Sequence, residues 1–140
     1  MIARSSGRVA GGYRPRERLC NAVKHFKFEP RGKRRLHKKP NAYEIDRCRW
    51  WYENERRIIK PKVTVAMGAT GARSVLGRPT AIGPTRGKVI ELADGAAIVT
   101  IHPSWLLRIR DDADRTREFE AFVKDLSLAR KAAAQKVVKP

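Results

Sequence analysis

The sequence predicts an α/β fold, in which helices cover both faces of a mainly parallel central sheet to give a three-layer αβα sandwich. Three short apolar runs are typical of buried strands, at Val63–Met67, Val89–Leu92 and residues 96–101. Two longer stretches carry apolar residues at helical spacing, one beginning at Asn41 and the other near Asp111. Alternating strands and helices of this kind favour a sheet with helices packed on both sides.

The helix that begins at Asn41 carries the clearest boundary signals. Asn41 can cap the amino terminus while Glu44, three residues later, reaches back in a capping box. Lys60 and Pro61 end the helix. One buried face is predicted, formed by Ile45, Cys48, Trp51, Tyr52, Ile58 and Ile59.

The second half of the chain alternates between elements and turns. Gly68 turns the Val63–Met67 strand into a short helix that runs through Leu76, and residues 77–88, with three Gly and two Pro, predict a loop. A turn at Asp94 and Gly95 separates the last two strands. The final helix is predicted to bury one face, formed by Phe119, Phe122, Val123, Leu126 and Ala129.

The amino-terminal third has little hydrophobic periodicity. Residues 1–18 predict a basic disordered arm, and residues 19–28 predict a strand that runs out into a loop. Residues 29–40 are rich in Lys and Arg, contain two Pro, and predict a cationic loop. With a basic tail at residues 136–140, the predicted domain covers residues 19–135.

The charge balance favours a polyanionic partner. Among 140 residues, 32 are Lys or Arg and 14 are Asp or Glu, giving a formal charge of +18. A ribosomal-type or merely basic protein is the alternative. Two cysteines make no disulfide framework, and neither a bilayer-spanning run nor a secretory signal is present, so we expect a cytoplasmic or nucleoid-associated protein without membrane contact.

The most informative segment is residues 21–40, Asn-Ala-Val-Lys-His-Phe-Lys-Phe-Glu-Pro-Arg-Gly-Lys-Arg-Arg-Leu-His-Lys-Lys-Pro. It resembles the UdgX-like branch of the iron–sulfur uracil-DNA glycosylases, which carries a basic loop of the form Lys-Arg-Arg-Ile-His. Further matches follow in order at Cys48-Arg49, residues 60–70, residues 85–87 and His102-Pro-Ser, as far as about residue 130. A ribosomal-type protein would explain the charge but not this ordered series.

The resemblance implies a bacterial DNA-repair protein that binds uracil flipped out of DNA and excises it. It implies that the Asn21 amide pairs with uracil, that His102 donates to a uracil carbonyl, and that His37 captures the sugar and stays covalently attached to DNA. Each has a plainer alternative: Asn21 as a turn residue, His102 in a tripeptide that is weak evidence by itself, and His37 in a solvated basic loop.

DNA contacts are expected from the basic loop and from the segment after His102. The candidates are Lys33, Arg34, Arg35, Lys38, Lys39, Ser104 and Arg108. Ser104 is placed to meet a phosphate at a helix amino terminus. The apolar residues 105–107 can act as a wedge in the emptied base stack, with the start of an ordinary amphipathic helix as the alternative.

The family holds a [4Fe–4S] cluster with four ligands, two of them from an amino-terminal cysteine pair. The other two positions correspond to His25 and Cys48, although a buried core cysteine is the alternative for Cys48. Cys20 is expected to be a spectator. Because the cysteine pair does not occur in these 140 residues, we expect the cluster to be absent or labile in this chain.

The resemblance covers only the carboxy-terminal portion of the family. The family's amino-terminal half carries a Gly-Glu-x-Pro-Gly loop that helps to cut the bond, and no such loop occurs here. We therefore expect a fold that is incomplete on its amino-terminal side, and a monomer that binds uracil-containing DNA, single-stranded or duplex. An inactive fragment, or a non-catalytic basic nucleic-acid-binding module on the same scaffold, is the alternative to a glycosylase.

Overall fold

The computed structural model describes residues 2–4 and 17–135. These residues form seven strands and five helices. In chain order they are β1 (Ile2–Arg4), β2 (Glu17–Leu19), β3 (Phe28–Arg31), β4 (Arg34–His37), α1 (Ala42–Ile59), β5 (Val63–Met67), α2 (Gly68–Leu76), α3 (Ile82–Thr85), β6 (Val89–Leu92), β7 (Gly95–Thr100), α4 (Pro103–Leu106) and α5 (Asp112–Ala134).

The main sheet has the strand order β2-β1-β5-β7-β6, and the α/β class is confirmed. The sheet is mixed rather than mainly parallel, because β5 and β7 pair in parallel while the other three pairings are antiparallel. The β6–β7 pair is a tight hairpin, and two strands joined by a short turn can only run antiparallel. Gly95 ends that turn at φ 145°, a backbone conformation that residues other than glycine rarely adopt.

Helices cover both faces of this sheet. Because successive side chains of a strand point to opposite faces, Val65 of β5 lies in one apolar layer and its neighbour Ala66 in the other. One layer is formed by Tyr52, Ala66, Ala72, Val75, Ala97 and Val99, from α1, α2 and the sheet. The opposite layer is formed by Val63, Val65, Ile98 and Ala129, the last of these from α5.

Helix α1 begins as the sequence predicts, with a complete capping box between Asn41 and Glu44. Its buried residues are Ile45, Cys48 and Tyr52. The prediction that Trp51 and Ile58 lie on the buried face is wrong, since both are exposed and Ile58 retains 82% of its surface. The helix packs through a narrow stripe at positions i, i+3 and i+7, and the broader face expected from the spacing is not covered.

Residues 28–37 form a two-stranded antiparallel hairpin where the sequence predicts a cationic loop. Every residue of β3 and β4 is exposed, so neither strand carries the apolar alternation by which strands are recognised. Gly32, in the connection between them, adopts φ 60°. The strand predicted at residues 19–28 is also corrected, because β2 ends at Leu19 and residues 21–27 are irregular.

Helix α5 starts after Asp111, whose side chain accepts a hydrogen bond from the Asp114 N–H at 2.8 Å. Phe119 and Val123 are exposed, which corrects their predicted burial, and Asp125 faces the sheet together with Ala129. The predicted 77–88 loop contains the short helix α3. Within the described parts of the chain, no helix is both long and apolar enough to cross a membrane.

Strands β1 and β2 correct the prediction that residues 1–18 are wholly disordered. Residues 2–4 pair with β5 on one side and with β2 on the other, so their backbone groups are satisfied by the sheet. A three-residue strand is too short to give a periodic signal. Residues 1, 5–16 and the predicted tail at residues 136–140 lie outside the described residues.

Candidate functional site

A cavity of about 750 Å³ opens at the edge of the sheet where the parallel strands β5 and β7 end. Met67, the last residue of β5, lines it, and so does His102, which follows β7. This edge is where ligands bind in open α/β sheets. Five candidate site residues from the sequence meet in the cavity lining: Asn21, His25, His37, Lys38 and His102.

His102 is held by the start of helix α4. Its Nδ1 accepts a hydrogen bond from the Ser104 backbone N–H at 3.2 Å and lies 2.8 Å from the Ser104 hydroxyl oxygen. Since Nδ1 acts as an acceptor, the proton of the neutral ring is on Nε2, which is then available as a donor. Ser104 is therefore engaged with His102, in addition to any phosphate contact.

Gly68 brings the turn after β5 close against His102. Its φ is 75°, and a Cβ atom placed there would lie 3.1 Å from the His102 Cβ. Any larger residue would be strained and would press on the histidine. The turn therefore fixes one wall of the cavity beside the imidazole.

Asn21 lies in the irregular segment that follows β2, and its exposed side chain lines the cavity. Its carboxamide makes no hydrogen bond to any residue within 2–4 or 17–135. A carboxamide can donate and accept at once. Asn21 is thus free to pair with a ligand that presents both a donor and an acceptor.

His37 is the last residue of β4, and it does not lie on a loose loop. The Lys38 N–H donates to the Lys27 carbonyl at 2.9 Å, which joins the hairpin end to the irregular segment. The imidazole centroid lies 5.4 Å from the Phe26 ring, and the Phe26 and Phe28 rings stack at 5.7 Å. The histidine is thus presented on a paired strand beside aromatic side chains.

Five of the six predicted DNA-contacting cations lie in this hairpin or directly after it, and the sixth, Arg108, follows α4. Lys33, Arg34 and Arg35 are exposed, and the Arg35 guanidinium lies 4.8 Å from the centroid of the Phe28 ring. Lys38 donates to Glu29 at 2.9 Å, and this hydrogen bond holds the pKa of the Glu29 carboxyl below its usual value. Lys39 lines an adjoining cavity of about 510 Å³, and Arg108 is exposed beyond α4.

His25 and Cys48, the two cluster-ligand positions that the family resemblance implies, lie next to each other. His25 Nδ1 lies 3.8 Å from Cys48 Sγ, and that sulfur accepts from the Lys24 N–H at 3.5 Å. Cys48 is also buried on α1, with 8% of its surface exposed, so it is a core residue as well as a candidate ligand. Cys20 lines the cavity of about 750 Å³. The pKa of its thiol is raised, mainly by burial and also by a hydrogen bond to Glu55.

Two donors are half of the ligand set that a [4Fe–4S] cluster takes. Across the described residues there is no group of three or more His, Cys, Asp and Glu side chains that could hold a metal ion. His25 and Cys48, with donor atoms 3.8 Å apart, therefore fit one side of a cluster.

Of the three apolar residues 105–107 that were predicted to form a wedge, two lie on the surface and one lies in the core. Trp105 and Leu107 are exposed, whereas Leu106 is buried. Trp105 and Leu107 remain available to contact DNA. Leu106 acts as an ordinary core residue at the start of a helix.

An ion-pair network around the buried Asp125 was not predicted from the sequence. Asp125 accepts hydrogen bonds from Arg86 Nη2 at 2.8 Å and from the Thr100 hydroxyl at 2.5 Å, and Arg86 Nη1 donates to Glu118 at 2.8 Å. Burial alone would lower the pKa of Arg86, but the hydrogen bonds to Asp125 and Glu118 raise it. An acidic residue at position 125, within the apolar face of the last helix, was the available signal.

Comparison with known proteins gives a family match and a curated relative. The model of the uracil DNA glycosylase superfamily matches residues 8–127 of this chain. Over 115 residues the chain is 32% identical to the type-4 uracil-DNA glycosylase of Thermotoga maritima. That alignment covers 81% of this chain and 56% of the length of the relative.

Proposed function

Because the chain belongs to the uracil DNA glycosylase superfamily, we propose that it binds uracil flipped out of DNA, excises the base and remains covalently attached through His37. The observation that carries this proposal is the single cavity lined by Asn21, His37 and His102. The UdgX-like branch, and correspondence to the carboxy-terminal portion of the family, belong to the same proposal. The chain spans 56% of its Thermotoga relative, so the activity of a complete glycosylase is carried over as a proposal.

The proposed chemistry assigns one task to each of these side chains. Asn21 pairs with the Watson–Crick edge of uracil, and the Nε2–H of His102 donates to a carbonyl oxygen as negative charge develops there. The N-glycosidic bond breaks, and uracil leaves with the bonding electrons. A lone pair of the neutral His37 imidazole then forms a bond to the sugar carbon, and the resulting imidazolium loses its N–H proton to water.

The decisive experiment is capture of uracil-containing DNA. The chain, alone and fused to the amino-terminal part of the Thermotoga relative, is incubated with oligonucleotides that contain uracil or thymine at one position. We expect a protein–DNA band that survives boiling in detergent only with uracil. His37→Ser should abolish the band while leaving uracil release possible through attack by water, and His102→Ala should lower both. A band that persists in His37→Ser would place the nucleophile elsewhere.

The alternative is a non-catalytic nucleic-acid-binding module, favoured by the +18 charge and the exposed cationic hairpin. Salt-sensitive binding without preference for uracil, and without base release even in the fusion, would support it. In either case we place the protein in the bacterial cytoplasm as a monomer that binds single-stranded or duplex DNA.

We further propose that His25 and Cys48 supply two of the four ligands of a [4Fe–4S] cluster. The chain alone should then purify colourless, or with a labile and substoichiometric cluster. Fusion to the amino-terminal part of the relative should give a brown protein with bound iron, and Cys48→Ser should reduce that iron. A complete four-iron cluster in the chain alone would contradict the half-site.

A further inference from the structure

Phe26 is a large aromatic side chain that stays 57% exposed although it lines the cavity. It lies outside both apolar layers of the core. Instead it contacts His37 on one side, with centroids 5.4 Å apart, and stacks on Phe28 on the other. Its main contacts are therefore within the site and the hairpin.

Among residues 2–4 and 17–135, no polar group is hydrogen-bonded to the His37 ring. Neither ring nitrogen forms a hydrogen bond or ion pair with any part of the chain that the structure describes. A reacting histidine is more commonly oriented by a carboxylate or a carbonyl that accepts from one ring nitrogen. The tilted contact with Phe26, at an interplanar angle of 39°, is the ring contact that remains to restrict the imidazole.

The backbone of the same hairpin restricts where this contact can form. His37 is paired with Phe28 across the two strands, and Lys38 is hydrogen-bonded to Lys27, next to Phe26. The backbone thus fixes both ends of the contact, and rotation of the two side chains decides whether the rings meet. An aromatic ring has few rotamers, so a modest contact suffices to select one imidazole orientation.

We propose that Phe26 is a positioning residue, whose ring holds the His37 imidazole at the mouth of the cavity and so sets how often the sugar is captured by His37 rather than by water. This inference rests on the proposed function, because it concerns the residue to which covalent capture is assigned. Phe28 provides a comparison, since it stacks on Phe26 and is the cross-strand partner of His37, whereas the ring in contact with the imidazole is that of Phe26.

The first test uses the chain alone and needs no activity. Ring currents from Phe26 shift the NMR signals of the His37 ring protons, which His37→Gln identifies by their loss. We expect Phe26→Leu to move these signals toward those of a free histidine and further than Phe28→Leu does, and Phe26→Tyr to leave them nearly in place. Unchanged His37 signals in a folded Phe26→Leu variant would overturn the proposal.

The second test measures the ratio of covalent capture to uracil release. Misplacement of a reacting group by about 1 Å costs up to about a hundredfold in rate, so Phe26→Leu should lower this ratio by roughly tenfold or more. Phe28→Leu should lower the ratio less than Phe26→Leu does, and Phe26→Tyr should retain it. An equal fall in both Leu variants would assign the effect to the hairpin as a whole and overturn a specific role for Phe26. If the unsubstituted protein captures no DNA, the proposed function fails, whereas the NMR comparison still decides whether Phe26 orients His37.

Discussion

The Asp125 carboxylate lies between α5 and the sheet, where an unpaired charge would be costly. It is only 5% exposed, and it accepts hydrogen bonds from the Arg86 guanidinium and the Thr100 hydroxyl. Thr100 ends β7, two residues before His102. A single carboxylate thus connects the last helix, the loop before β6 and the strand that leads into the site.

Removing this carboxylate should destabilise the protein strongly. Breaking a buried ion pair by deleting one partner typically costs about 3–5 kcal/mol, because the other charge is left without compensation. We expect Asp125→Ala to lower the free energy of unfolding by about 3 kcal/mol, measured by urea denaturation. Asp112→Ala, which removes the exposed partner of Arg115, is the control and should change stability little. Equal unfolding curves for Asp125→Ala and the native protein would contradict the role of the network.

Candidate site residues could be identified from the sequence where they belong to a recognisable motif. The order of the motifs singled out Asn21, His37 and His102, and the structure places all three in one cavity lining. Phe26 and Asp125 were not identified as partners, since their contacts join positions that no periodic pattern relates. Contacts of this kind depend on how two elements pack, which a single sequence does not specify.

At the scale of elements, the start of α1 is tied to the segment that carries the site. The Glu44 carboxylate accepts a hydrogen bond from the Asn41 N–H at 2.7 Å and another from Lys27 Nζ, also at 2.7 Å. The pKa of Glu44 is lowered below its usual value of 4.5, most strongly by the hydrogen bond from Lys27 and next by the one from Asn41. The helix start is therefore fastened to Lys27 only while Glu44 is ionised.

This pKa shift gives the helix start a defined pH dependence. A carboxyl whose pKa is lowered by folding contributes stability above its unfolded pKa, and this contribution is lost as the pH falls through the folded pKa. We expect Glu44→Gln to lower the melting temperature at neutral pH, and the difference from the native protein to shrink as the pH falls through the lowered pKa of Glu44. Glu120→Gln, at an exposed position on α5, is the control. A difference that stayed constant with pH would show that the charge of Glu44 is not involved.

Elements were predicted well where burial and capping act together. The boundaries of α1 and β5 match the structure because a capping box, a proline and a continuous apolar run mark them. The β3–β4 hairpin was missed because backbone pairing stabilises it without burying an apolar face. Alternation in sequence reports burial, so exposed strands leave no such trace.

For the whole molecule, we expect the net charge of +18 to make the proposed binding to DNA dependent on salt. Each phosphate neutralised contributes about −0.7 to the log–log slope on single strands, so replacing Lys33 and Arg34 together with Ala should reduce the magnitude of the slope by about 1.4. Fluorescence anisotropy at several salt concentrations measures this. Replacing Lys124 and Arg130, two exposed residues of α5, is the matched control and should change the slope less. Equal slopes for the two double variants would show that the hairpin is not the principal contact.

The exposed hairpin also has a thermodynamic consequence for the protein in solution. Two strands that bury no apolar face are only marginally stable, and the cations they carry repel one another. An anion that binds the paired strands and not the unfolded ones acts as a folding ligand, with a stabilisation that grows with the logarithm of its concentration. Added salt should therefore have opposite effects on two equilibria: it would weaken the proposed complex with DNA and relieve the repulsion within the free protein. Nucleic acid carried through a purification would raise the melting temperature, so only material freed of it reports the intrinsic stability of the chain.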